Sequence, residues 1–138
     1  MLAKKIVVIL LTIMFLILTT NALAANDMIS ARYSAIEDFY VNLSVQSDKM
    51  VCKASLRPSS SSSTAGLTAT LKRSINGQTW TNVASWSASG SNTSRASINK
   101  TVSVSRGYQY KLFVTGKIYS ASGALLETAY KNSSIVAY

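Results

Sequence analysis

From Tyr108 to Tyr119 the chain keeps one rhythm. Tyr108, Tyr110, Leu112, Val114, Gly116 and Ile118 alternate with Gln109, Lys111, Phe113, Thr115, Lys117 and Tyr119. A period of two fits a half-buried strand and does not fit a helix. The same rhythm recurs upstream. Phe39, Val41, Leu43 and Val45 share one alternation face, as do Met50, Cys52, Ala54 and Leu56, and a third strand opens with Leu67, Ala69 and Leu71. Ala96, Ile98, Lys100, Val102 and Val104 form another such row, in which Lys100 predicts a bulge or a strand end. No useful window carries apolar residues at helical spacing, so no helix is predicted.

Turn residues separate these runs. Ser47-Asp48-Lys49, Arg106-Gly107 and Ser120 to Gly123 read as turns. Asn76-Gly77 predicts a hairpin, because both residues tolerate positive φ, with a returning strand from Thr79 to Trp86. Pro58 ends the second strand, since it cannot donate to a ladder. Ser59 to Gly66 reads as a flexible loop and Ser87 to Ser94 as another. Leu125 to Lys131 and Ser134 to Tyr138 supply the last strand or two. About seven short strands at this spacing predict one all-β domain, an antiparallel sandwich over 36–138, after a polar lead-in at 25–35 that includes a short edge strand near Ile29.

Residues 1–24 are read apart from that domain. Lys4 and Lys5 precede an uncharged, mostly apolar run of 13 residues, Ile6 to Leu18, and then Ala22-Leu23-Ala24. This is the order of a secretory signal peptide, with cleavage expected after Ala24 or Ala25. Thirteen residues span about 20 Å as a helix, short of the ~30 Å hydrocarbon core. Membrane contact is therefore expected only through this segment, before cleavage. The product is expected to be secreted, or held loosely at the envelope.

The 138 residues hold no His, which removes Ser-His-Asp and Cys-His catalysis and the common zinc sites. Five carboxylates are present, and no pair has spacing suited to glycoside chemistry. Glu37 and Asp38 are adjacent and point to opposite faces of a strand. Ser and Lys abound without forming a motif. The chain is read as non-enzymatic, without cofactor or metal. Cys52 is the single cysteine, so no internal disulfide forms. Its place beside Met50, Ala54 and Leu56 favours burial, with a reactive thiol or an intermolecular bridge as the alternatives.

The segment Val104-Ser105-Arg106-Gly107-Tyr108-Gln109-Tyr110-Lys111-Leu112-Phe113-Val114 resembles the penultimate strand of fibronectin type III and immunoglobulin-like domains. The resemblance implies that Gly107 makes the turn and that the Tyr110 hydroxyl bonds back to it, as a tyrosine corner. Leu112 then stands where an antibody domain carries its second Cys, and Cys52 has no partner. The stretches Met50 to Leu56, Leu71 to Trp86, Gly107 to Leu112 and Glu127 to Ser134 are similar to a family of small secreted Gram-positive bacterial proteins of unknown function. That likeness covers most of the mature chain and implies a bacterial source, but no activity.

The candidate ligand-binding residues are Trp80, Trp86, Arg73 and Lys111. Trp and Tyr can stack on sugars or anchor a protein, although sandwiches also bury them. Trp80 and Trp86 are an even number apart, so a regular strand puts both on one face and Val83 on the other. The formal charge is +9, and Lys53, Lys72, Lys111 and Lys117 take outward positions. Such charge solubilises and protects edges, and it also suits an anionic envelope polymer. No basic stripe suggests nucleic acid. Asn42, Asn92, Asn99 and Asn132 open glycosylation sequons, which are expected by chance in so Ser- and Thr-rich a chain. The expected role is an interaction module for an anionic envelope polymer, carbohydrate or protein. The alternative is a secreted cationic polypeptide that antagonises or signals to other cells.

Overall fold

The computed structural model describes residues 33–138. The signal peptide, its cleavage site and the strand expected near Ile29 lie outside the described residues. Within them no helix occurs. Eight strands follow in order: β1 Ile36–Gln46, β2 Lys49–Pro58, β3 Thr64–Ser74, β4 Thr81–Ser91, β5 Ala96–Ser103, β6 Gln109–Tyr119, β7 Leu125–Asn132 and β8 Val136–Ala137. They form two antiparallel sheets, β1-β2-β5 and β4-β3-β6-β7, with β8 also pairing with β6. An antibody constant domain places its fourth strand beside its fifth. Here β4 pairs with β3 instead, so the second sheet is the wider one.

The alternation read from the sequence dictates the two layers. Phe39, Leu43, Met50, Cys52, Ala54, Leu56, Ala96 and Ile98 come from the first sheet. Ala65, Leu67, Ala69, Leu71, Tyr110, Leu112, Val114, Ile118 and Ala129 come from the second. Together they make one core, and the domain is an immunoglobulin-like β-sandwich. Gly116 sits on the inward row of β6, where Leu56 and Phe39 of the other sheet fill the space a side chain would take.

The tyrosine corner is present. The Tyr110 hydroxyl donates to the Ser105 carbonyl at 2.5 Å, and the ring is fully buried. Gly107 holds φ at +88°, in the region where a Cβ is strained. Its N–H donates to the Tyr138 carbonyl, which ties the C-terminus to the start of β6.

Several sequence expectations change. The two-residue turn with positive φ belongs to Ser47 and Asp48, at 48° and 59°, between β1 and β2. Asn76-Gly77 lies in a wider connection from Ile75 to Trp80, and of the pair only Gly77 has positive φ, at +74°. Asn76 acts through its side chain. Its Oδ1 accepts from the Gln78 and Thr79 N–H groups, both at 2.9 Å, and from the Ser74 hydroxyl at 3.0 Å. That cap satisfies two backbone donors without a tight turn. Lys100 causes neither a bulge nor an end, since β5 pairs with β2 in unbroken register to Ser103. As β5 is an edge strand, an inward-row lysine there stays exposed.

The Ser-rich loops are also shorter than expected. β3 begins at Thr64 and β4 runs on to Ser91. Ser87, Ser89 and Ser91 take the outward row of β4, where a hydroxyl fits as well in a strand as in a loop. Ser59 is anchored, its N–H donating to the Ala35 carbonyl at 3.0 Å.

Candidate functional site

The outward rows of β3, β4 and β6 assemble the most distinctive surface among the described residues. Lys72 of β3 faces Lys111 of β6 directly across the ladder. Like charges in that position repel. Both ammonium groups turn over the ring of Phe113, with Lys72 Nζ 4.7 Å and Lys111 Nζ 5.3 Å from its centroid. The electron-rich face of the ring offsets the repulsion, at about 0.5–1 kcal/mol per contact. Trp80 packs edge-on against the same ring, at 5.8 Å between centroids and 69° between planes. Two cations and two aromatics thus share one end of the sheet.

Further along the same face the lining becomes hydroxylic. Thr70 and Ser85 oxygens lie 3.0 Å apart, and Thr68 and Ser87 oxygens 3.3 Å apart. Beyond them Gly66 floors a depression of about 220 Å³, edged by Thr115, Lys117 and Tyr119. A Cβ on Gly66 would lie 3.4 Å from Tyr119 Cε2, so a side chain there would fill the depression.

Carboxylates lie elsewhere. Glu37 pairs with Arg57 at 3.2 Å, Asp38 with Arg95 at 3.0 Å and Asp48 with Arg106 at 2.7 Å. Glu127 accepts from the Ala35 N–H at 2.8 Å, across the seam between the sheets. The three ion pairs are solvent-accessible and contribute little to stability. Their effect is on distribution: among the described residues every carboxylate side chain is engaged away from this face. Among the described residues, Lys72, Lys111 and Lys117 have no acidic neighbour within 4.0 Å.

The four candidate residues do not converge. Trp80 and Lys111 belong to the face just described. Trp86 lies opposite Ala69 on the inward row and packs against the core. The two tryptophans therefore occupy opposite faces, contrary to the even-spacing expectation. The reason is a register shift between Leu71 and Lys72, where Ala84 faces Leu71 and Asn82 faces Lys72. Val83 is the extra residue of this bulge, which reverses the parity between Trp86 and Trp80. Arg73 sits at the end of the sheet, its guanidinium 4.6 Å from the Tyr108 ring centroid. It lines a separate shallow groove of about 340 Å³ with Asn76, Thr79, Thr81 and Tyr108.

The sequence marks Lys72 and Lys117 only as outward cations, and Phe113, Tyr119 and Gly66 are not among its candidate residues. The signal was present for most of them. Phe113 alternates outward between Lys111 and Thr115, which puts its ring on the same row as a cation. The thiol of Cys52 is fully buried and unpaired, and burial pushes its pKa up to about 11 from 9.0. Among the described residues no three His, Cys, Asp or Glu side chains gather as a metal site would need. No protein-family model matches the chain, and no curated protein matches it.

Proposed function

We propose that this chain is an exported bacterial protein that works by binding, without catalysis, and that its ligand is an anionic, hydroxyl-rich polymer of the cell envelope. The observation that carries this reading is the outer face of β4-β3-β6, which bears no carboxylate among the described residues and where Lys72 and Lys111 flank Phe113 and Trp80. Lysines without internal partners attract an external anion. Aromatic rings beside them supply flat surface for the C–H faces of a sugar or polyol. The Thr and Ser rows can exchange hydrogen bonds with its hydroxyls. The N-terminal sequence supports delivery outside the cytoplasm.

Retention of the protein on purified envelope polymers, anionic and neutral, over a salt series tests the binding. Retention on the anionic polymer is expected to fall as salt rises, because exposed charges are screened beyond about 10 Å at 0.1 M. Lys72→Gln with Lys111→Gln is expected to abolish most of it. Equal retention on neutral polymer, or no effect of the double substitution, refutes the reading. Release of dye from anionic vesicles at comparable concentration would favour the cationic antagonist instead. N-terminal sequencing of protein recovered from the medium tests export. The chain should begin at Ala25 or Asn26, and a membrane-bound product that keeps Met1 refutes cleavage.

A further inference from the structure

The outer face places a lysine and an aromatic side chain near each end of β6, and their spacing defines the shape of what they hold. The first station is Lys111 with Lys72, Phe113 and Trp80. The second is Lys117 with Tyr119, beside the depression over Gly66. Lys111 and Lys117 lie six residues apart on β6, and both point outward. At about 3.4 Å per residue their attachment points are separated by roughly 20 Å. The paired hydroxyls of Thr70 and Ser85, and of Thr68 and Ser87, lie between.

We infer that one linear polyol phosphate chain lies along β6 and engages both stations at once, with its hydroxyls over the Thr and Ser rows between them. This inference rests on the polymer-binding reading above and adds the form, length and direction of the ligand. Three features favour a chain over a lipid surface. The lysines of this face sit on the central strands β3 and β6, Lys72 beside Lys111 and Lys117 farther along β6. A planar array of headgroups would be met equally well by cations spread across all four strands. The ground between the stations is hydroxylic, which suits a polyol and offers nothing for acyl chains. The second station is concave because residue 66 has no side chain, so it can admit a single strand of polymer and cannot conform to a flat surface.

Calorimetric titration of the purified protein tests this with two synthetic polyol phosphates, one shorter and one longer than about 20 Å when extended. The longer fragment is expected to bind at least tenfold more tightly per chain, because the second contact becomes intramolecular. Lys117→Gln should weaken the longer fragment about fivefold and the shorter one less than twofold, given roughly 1 kcal/mol for a lysine at an anionic surface. Gly66→Val, which fills the depression, should act in the same sense. Lys53→Gln, on the outer face of the other sheet, should change neither. Equal affinity for both lengths, with binding intact, overturns the two-station inference while the polymer-binding reading stands. Binding of neither fragment overturns both. Equal loss in the Lys53 variant, or anionic phospholipid vesicles binding as tightly as the long fragment, overturns the assignment to a linear chain along β6.

Discussion

Gly116 offers the sharpest test of how the two sheets are fitted together. It occupies the inward row of β6 between Val114 and Ile118, opposite Leu67 of β3 and Ala129 of β7. An ideal Cβ at this position lies 2.7 Å from Leu56 Cδ2 and 3.5 Å from both Leu56 Cδ1 and Phe39 Cζ. Leu56 is fully buried, so its methyl group cannot swing into solvent. Overpacking of this kind costs about 1–3 kcal/mol. Replacing Gly with Ala also restricts the unfolded chain, which returns about 0.4–1 kcal/mol. Gly116→Ala is therefore expected to destabilise the domain by about 1–2 kcal/mol, and to lower the urea midpoint by roughly 1 M at a typical slope for a small domain. Leu56→Ala alone should cost about 2–5 kcal/mol by opening a cavity. In the double variant the new methyl group occupies part of that cavity, so the losses should fall short of additive by about 0.5–3 kcal/mol. A Gly116→Ala variant as stable as the parent, or strict additivity, refutes the packing argument.

Two further outcomes follow from the core. Tyr110→Phe leaves the Ser105 carbonyl without its donor while keeping the buried ring, and should cost about 1–2 kcal/mol in urea unfolding; a neutral effect would mean that the corner adds no stability. Cys52 should resist thiol reagents at pH 8 in the native state and react on unfolding. Its folded pKa of about 11 lies above the ordinary 9.0, so its contribution to stability is complete below pH 9 and is lost as the pH rises through 11. The urea midpoint should fall more steeply over that window in the parent than in Cys52→Ala, and identical slopes would contradict burial as the cause.

The fold was legible because its information is local and periodic. Five inward rows, from Phe39 to Ile118, could be read directly, since each one-residue step exchanges faces. The corner at Tyr110 was legible because its turn, its glycine and its strand are contiguous in the chain. What escaped depends on contacts between distant segments. Asn76-Gly77 has the composition of a tight hairpin, yet the Asn76 side chain holds a wider loop together with Ser74. The site was half legible. Trp80 and Lys111 were singled out, but the clustering of Lys72, Lys111 and Phe113 depends on the pairing of β3 with β6, 39 positions apart at Lys72 and Lys111. Arg73 looked equivalent to Lys72 in sequence, and alternation sends it to the end of the core, onto Tyr108.

The bulge at Val83 links the core to the proposed site. In a regular strand of the same length, with no bulge, the chain from Trp86 back to Trp80 would keep even parity and send both rings inward. The inward end of the sheet is already occupied by Tyr110, with Tyr108 packed edge-on to it at 6.3 Å. The bulge places Val83 against the core and releases Trp80 onto Phe113. Deleting Val83 provides a test, because Asn82 and Ala84 already occupy consecutive positions opposite Lys72 and Leu71. The deletion should straighten β4 and keep Trp80 outward, at a cost of about 1 kcal/mol of lost apolar burial. Trp80 emission and polymer retention should then match the parent. A blue-shifted indole together with lost retention would show that Val83 does not act as the parity switch, and that something else holds Trp80 at the surface.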